Sequence, residues 1–463
     1  MNIIVAGAGA GKTTSMASHI LNRLEEVEDG MILYVITYTN SAKNKIRELI
    51  IENKGIIPKQ LRIETIHAFL LHEVIYPFHH LLFEGHFNSV SYINLPTNRA
   101  FSAGKLKELK QNNSIHVEKV TETAKWILCK KTGDNKLIKE KREKIINTIS
   151  RYLDCVYIDE AQDMDEHMTQ IVKLLDNKGL YIFLIGDPKQ DLRGRNFFSN
   201  LLIQHQEAVV YEPTNHRSPI SHVNFSNHYI PFEQKQIPLS KIEGEINFVF
   251  EKEIISSEDF FNNQNWDRIY IYQKNNRFNT HEKDKANNHN LIFELDKLIS
   301  RTTDNEKDRK LIQYELLKDI FSRLKDSNNY EILLLIEKVL NLKLNSQDKA
   351  KIHDSLKIAN ENSHSPGILV NSIDSVKGLE GEKCLFIVTT EVAEYLLGIK
   401  KDQNKMMNYL YVALTRSKRD LVLFITLEVH LKYTIQNWEA FFSCKKISKY
   451  ISVPLVPLED HFK

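Results

Sequence analysis

Cysteine is scarce in this 463-residue chain, and the four present (Cys129, Cys155, Cys384 and Cys444) lie far apart. Their spacing fits neither a metal site nor a disulfide framework, which excludes a stapled secreted scaffold and suits a reducing compartment. Two of the thiols are expected in buried strands. No run of 18 apolar residues occurs, so no membrane-spanning helix and no membrane partner are expected, and the first residues carry no charged-then-apolar leader. The formal net charge is only +2 with 26% charged residues, so the chain is no polyelectrolyte and any nucleic-acid surface has to be local. Internal repeats and low-complexity tracts are also missing. A soluble, cytoplasmic protein of roughly two to four domains is the expectation.

Against this background the first residues carry a dense signal. Ile3-Ile4-Val5 reads as a short buried strand, the small residues Ala6-Gly7-Ala8-Gly9-Ala10-Gly11 allow a tight turn with inward-facing amides, and Lys12-Thr13-Thr14 opens a helix. This is the design of a phosphate-binding loop. Backbone amides of Ala8 to Thr14 meet phosphate oxygens, Lys12 reaches the β- and γ-phosphates, and the Thr13 hydroxyl binds Mg²⁺. Ala6 stands where the strict pattern has glycine, but the strand-loop-helix setting is the one the mechanism needs.

Helical spacing follows from Thr13 to Glu26, then an apolar run from Met31 to Thr37 fit for a buried parallel strand. Thr39 or Asn40 can cap a helix over Ala42–Ile51, and Leu61 to Thr65 reads as a strand entering a helix. Strand signals vanish over 77–150, and between Lys105 and Lys144 basic residues outnumber acids two to one. That predicts a helical insertion whose basic face is either functional or simply solvated. Apolar strands at 155–158 and 180–185 end in Asp159-Glu160 and in Gly186-Asp187-Pro188-Lys189-Gln190. A second α/β region begins near Pro213, with strands at 246–250 and 269–272, a break at Lys274-Asn275-Asn276, and a second helical insertion over 278–364. The Asn-Ser-His-Ser-Pro-Gly stretch at 362–367 returns the chain to strands at 368–373, 383–389 and 420–425, with a helix at 406–414.

In an open parallel sheet, ligands collect at the carboxyl ends of strands, where Asp159, Glu160, Asp187 and Gln190 fall. Strand-terminal acids also serve as plain helix caps, but downstream of a phosphate loop they suit catalysis. Asp159 can hold Mg²⁺ through water, Glu160 can orient and deprotonate the attacking water, and Gln190 can sense the γ-phosphate. Arg217 and Arg416, from the second α/β region, can cross a cleft and neutralise developing charge.

Taken in order, the segments AGAGAGKTT (6–14), TYTNSA (37–42), TIHAF (65–69), YIDEAQD (157–163), GDPKQ (186–190), NHRS (215–218), YQKNNR (272–277), SIDSVKGLE (372–380) and YVALTRSK (411–418) resemble the motifs of superfamily 1 helicases of the UvrD/Rep type. The resemblance implies an α/β fold with two RecA-like P-loop NTPase cores built on parallel sheets, each carrying a mostly helical insertion. The cores would be 1–76 plus 151–212 and 213–277 plus 365–463, with insertions at 77–150 and 278–364. It also implies ATP and Mg²⁺ as cofactors and movement on single-stranded or partly duplex DNA, usually 3′ to 5′. By motif position, Lys12, Thr13, Asp159, Glu160, Gln190, Arg217, Gly378, Glu380 and Arg416 contact nucleotide or act in hydrolysis. Tyr38, Thr39, Asn40 and His67 fall on positions that face the strand, although Tyr38 can equally be core packing.

Several departures sharpen the expectation. The family's glutamine-bearing segment that reads adenine lies upstream of the loop and is not found here, Thr14 replaces an arginine, and His216 replaces a tyrosine that stacks on the base. Base preference is therefore expected to be loose. Arg193 and Arg195 stand where two aromatics and an arginine are usual, which shifts stacking toward phosphate contact. Asp374 replaces a histidine and is expected to weaken coupling between DNA and ATP. A small-molecule P-loop kinase does not explain the motifs beyond residue 200, and no nuclease-like acid cluster follows the last motif. In size and outline the chain also resembles the helicase-like partner of the Gabija antiphage system. That implies either a translocase in repair or defence, or a regulatory subunit acting on a nuclease partner.

Overall fold

The structure is a computed structural model, and it describes residues 1–96, 98–273, 277–280, 289–303, 305–323, 328–361 and 368–451. The expected break at 274–276 and the return segment at 362–367 lie outside the described residues, as does half of YQKNNR. Two compact units divide the chain: one comprises Met1–Glu84, Val120–Lys274 and Val370–Lys463, the other Gly85–Lys119 and Asn275–Leu369. Residues 120–150, grouped on sequence with the first insertion, thus belong to the first unit. Residues 85–119 share a unit with those of the second insertion.

The first unit holds two six-stranded sheets, and every strand pair in them is parallel. In space the first sheet runs Leu61–Thr65, Ile32–Thr37, Leu153–Ile158, Tyr181–Gly186, Asn2–Ala6 and Val209–Glu212. The second runs Asn371–Ser372, Arg268–Ile271, Gly381–Val388, Ser417–Ile425, Glu245–Phe250 and Ser448–Lys449. Continuous apolar runs explain the central strands, because a strand covered by helices on both faces cannot alternate. Leu33, Val35 and Ile36 have no exposure, nor do Leu385, Phe386, Ile387 and Val388. Both buried thiols, Cys155 and Cys384, sit in these strands and are unpaired. Helices follow the strands: Lys12–Leu24 buries Met16, Ala17 and Ile20, and Lys405–Leu414 buries seven residues from Met407 to Leu414. No described helix is long and apolar enough to cross a membrane.

The second unit is mainly helical. Leu291, Leu295, Leu316, Ile320, Ile332, Ile336 and Leu356 form its core, drawn from four helices, His289–Ile299, Glu306–Arg323, Asn329–Leu340 and Ser346–Glu361. Lys105 of the helix Arg99–Gln111 pairs with Glu294, and Lys297 with Glu108, joining two stretches almost 200 residues apart in sequence. The expectation of no strands between 77 and 150 is corrected by one detail: Ser89–Ser91 and Ser114–His116 pair in parallel. Three residues are too few to carry a period.

Candidate functional site

Strand ends set the geometry. Asn2–Ala6 leads into the loop, where Gly9 and Gly11 adopt φ of 77° and 75°, a region open to glycine without a Cβ penalty. Gly11 precedes the helix Lys12–Leu24 and no side chain caps its first amides, so they remain suited to an anion. Lys12 Nζ folds back to donate to the carbonyl oxygens of Ala6 and Gly7, at 3.4 and 3.3 Å. Its charge acts on Asp159, Glu160 and Asp187. Ala10 is buried and Gly9 and Thr13 half-buried, while Gly11 and Thr14 are exposed. Ala8 differs from expectation: its N–H donates to the Tyr411 hydroxyl at 2.9 Å, so it is a fixing point of the loop and not a free phosphate donor.

Asp159, 2% exposed, follows the strand Leu153–Ile158 and accepts the Glu160 N–H at 2.9 Å. It forms no ion pair among the described residues. Burial, reinforced by the Glu160 charge, pushes its carboxyl up to about 7. Glu160 takes a left-handed backbone with φ 52°, uncommon for a residue with a Cβ. Burial pushes its carboxyl up too, but Lys12, Lys377 and a hydrogen bond from Gln162 outweigh that and hold it below its usual range. Environment therefore moves the two carboxyls in opposite directions, Asp159 up and Glu160 down.

Gln162 was absent from the sequence-derived candidates. Its Nε2 donates to Glu160 at 2.6 Å, and its Oε1 accepts the Asp187 N–H at 2.9 Å, so one buried amide ties the ends of two strands. A Cβ on Gly186 would lie 2.7 Å from that oxygen, which accounts for glycine there. The available signal was its place two residues beyond Glu160. Asp187, fully buried, pairs with Lys189 at 2.8 Å and accepts from Gln190 Nε2 at 2.9 Å. The Gln190 amide, expected on a γ-phosphate, is here engaged with Asp187.

Arg217 follows the short strand Thr214–Asn215, which pairs with Ile237–Pro238 in a separate two-stranded sheet, whereas Glu380 and Arg416 immediately precede the second-sheet strands Gly381–Val388 and Ser417–Ile425. Arg217 donates to Glu380 and, at 3.4 Å, to the Thr415 carbonyl, while Lys418 also pairs with Glu380 at 3.5 Å. Arg416 is 2% exposed and donates to Val412 O and Thr415 Oγ1, each at 3.0 Å. Among the described residues it has no carboxylate partner, and burial together with Arg217 lowers its pKa. A guanidinium enclosed without a counter-charge is costly, and an arriving anion relieves that cost. Gly378 has φ 79° in an open turn. His216 is exposed; its N–H donates to the Gly9 carbonyl at 3.0 Å, and its ring Nε2 lies 3.3 Å from Thr214 Oγ1. Further links join the two sheets' elements: Lys377 to Asp163 at 2.6 Å, and Asn408 Nδ2 to the Asp191 carbonyl at 3.0 Å.

The strand-facing candidates fall near one another. Tyr38 is half-buried, its hydroxyl is enclosed with no hydrogen-bond partner among the described residues, and it feels the charges of Asp163, Asp165, Arg195 and Arg193. His67 also feels Asp165, with its pKa lowered by burial. Arg195 donates to the Asp163 carbonyl at 3.1 Å, and Arg193 is exposed. Thr39 spends its hydroxyl on the Ala42 N–H as the cap of the helix Asn40–Lys54, while Asn40 is exposed. Asp374 accepts from the Tyr409 hydroxyl at 2.8 Å, and Tyr409 packs edge-on against Tyr272.

Among the described residues no three metal-ligating side chains converge. Magnesium does not require that, since one carboxylate with phosphate and water oxygens suffices. A buried Asp159 with no cation partner, beside a phosphate loop bearing Thr13, fits such an ion.

This combination of loop, strand-end acids and parallel sheet has the make-up of a P-loop nucleotide-binding site. Residues 1–194 match the family model for the AAA domain, and the chain is similar to UvrD/Rep-type superfamily 1 helicases. Among individual proteins it is similar to the Gabija protein GajB of Bacillus cereus (strain VD045), at 28% identity over 193 residues. That match spans 41% of this chain and 37% of the relative's length.

Proposed function

We propose that the chain is an ATP-dependent translocase or helicase on single-stranded DNA, moving 3′ to 5′, with two RecA-like cores. The observation that carries the reading is the meeting of two sets of groups. Lys12, Asp159, Glu160 and Gln190 stand by the strand ends of the first sheet; Glu380 and a buried Arg416 with no carboxylate partner among the described residues precede strands of the second, and Arg217, which follows the separate small strand Thr214–Asn215, pairs with Glu380. Thr13 and Asp159 are the residues to hold Mg²⁺, which when bound shields phosphate charge. Lys12 leaves its own loop carbonyls to meet the phosphates. Glu160, held charged and aimed by Gln162, takes the proton from the attacking water. Arg217 exchanges Glu380 for the γ-phosphate, and Arg416 neutralises charge from the other side, a contribution of about 10³–10⁵ in rate where such arginines have been measured. Tyr38, His67, Arg193 and Arg195 form the strand-contacting surface.

The similarity to the Gabija protein supports a role in antiphage defence alongside a nuclease partner, and favours a second reading. In it the chain is a regulatory subunit in which nucleotide and DNA occupancy switch the nuclease with little unwinding. Phosphate release by the purified chain, with and without single-stranded DNA and beside Lys12→Ala, separates the two. Stimulation by DNA that disappears in the variant is expected for a motor. Tight ATP binding without stimulation contradicts it and favours the switch, and failure to bind ATP, dATP or GTP contradicts both.

A further inference from the structure

The phosphate loop is gripped at one residue by three buried side chains that the reaction outlined above does not use. Ala8 donates its N–H to the Tyr411 hydroxyl at 2.9 Å. Its carbonyl accepts from Asn215 Nδ2 at 2.7 Å and from Gln236 Nε2 at 3.0 Å. The three side chains also bond to one another: the Tyr411 hydroxyl donates to Gln236 Oε1 at 3.2 Å, and Asn215 Nδ2 lies 3.3 Å from the same oxygen. Exposure is zero for Asn215 and Tyr411 and 4% for Gln236. The network is braced from behind, since Gln236 exchanges two backbone hydrogen bonds with the Asn227 side chain and Asn215 Oδ1 accepts from the Arg217 and Ser218 amides.

Two loop glycines lie close against this grip. A Cβ on Gly7 would lie 2.4 Å from Gln236 Nε2, and one on Gly9 would lie 2.3 Å from Asn215 Oδ1. At the other end, Tyr411 lies in the last turn of the helix Lys405–Leu414, and the charge-neutralising Arg416 comes two residues after that helix ends. Thr415 Oγ1 donates to the Tyr411 carbonyl at 3.0 Å, and Arg416 donates to Thr415 Oγ1 and to Val412 O. The hydroxyl on the loop and the guanidinium are thus two ends of one rigid piece.

We infer that Tyr411, Gln236 and Asn215 are positioning residues that lock the phosphate loop in register with Arg416, so that a nucleotide held by the loop meets the arginine in reacting geometry. The inference rests on the hydrolytic reading above. A lock of this kind acts on turnover more than on binding, because the amides that face phosphate are not its own. It also acts as a unit, so losing either hydroxyl or amide opens it.

The test uses the full chain with Tyr411→Phe, which keeps the ring, Gln236→Met, which keeps the shape, and the double variant, each first confirmed folded by its thermal midpoint. At saturating single-stranded DNA, kcat for phosphate release is expected to fall about tenfold in each single variant, a loss of the size of one or two hydrogen bonds. KM should stay within about twofold, and the double variant should lose no more than the worse single. Unchanged kcat, or losses that multiply, overturn the inference. Hydrogen exchange of the loop segment 6–12 gives a readout independent of turnover: faster exchange in either single variant supports the lock, and wild-type exchange in both overturns it. A wild-type chain that releases no phosphate contradicts the hydrolytic reading instead, and exchange still decides the lock.

Discussion

Asp159 sits where a strand covered on both faces stops, so its carboxyl reaches the site through apolar surroundings and beside the charge of Glu160. In the nucleotide-free protein its folded pKa is raised from 3.8 to about 7. The stability linked to it is therefore fully present below about pH 4 and is lost as pH rises toward 7, because the folded state then binds the proton more tightly than the unfolded one. The thermal midpoint of the wild type should fall relative to Asp159→Asn between pH 5 and pH 8, and parallel curves would contradict the assignment. Mg²⁺–nucleotide affinity should rise over the same window in the wild type and stay flat in the variant, as titration calorimetry can follow. Glu160 has the opposite bias, being held ionised by Lys12, Lys377 and Gln162. Glu160→Gln should slow phosphate release by about 10²–10⁴ while leaving nucleotide affinity within a few-fold; a loss confined to affinity would reassign it to binding.

At the scale of elements, caps and strand ends do more than one job. Thr39 is the cap of the helix Asn40–Lys54 and also lies in the stretch expected to face DNA. Thr39→Ala should cost about 1 kcal/mol in urea unfolding, whereas Thr39→Ser should retain the cap. If serine loses as much as alanine, the hydroxyl is not the stabilising group. The central strands and the helices Lys12–Leu24 and Lys405–Leu414 were legible in the sequence to within two or three residues, because apolar runs and helical periods are local signals. The strand-end acids were legible for the same reason. Gln162, Asn215, Gln236 and Tyr411 were not, since each acts through hydrogen bonds to residues brought close only by the fold, up to 403 positions away. The parking of Arg217 on Glu380 and of Gln190 on Asp187 was equally hidden: motif position names the residues but not the partners they hold without nucleotide.

For the whole molecule, the proposed mechanism draws on complementary groups from two parts of the first unit, neither chemically complete alone. The first sheet offers a loop, the Asp159 carboxyl and a base, while the other part offers cations, among them an Arg416 with no direct carboxylate partner among the described residues. A site divided in this way ties hydrolysis to the relative position of its halves, which is what a motor or a nucleotide-read switch needs. The helical unit has its own core. The dependence of hydrolysis on the second half is tested most directly by phosphate release from Arg416→Ala at saturating ATP and single-stranded DNA. The expected result is a loss of about 10³ or more in rate with nucleotide affinity kept within tenfold; wild-type release from that variant would mean that the first half works alone and would contradict the two-core site.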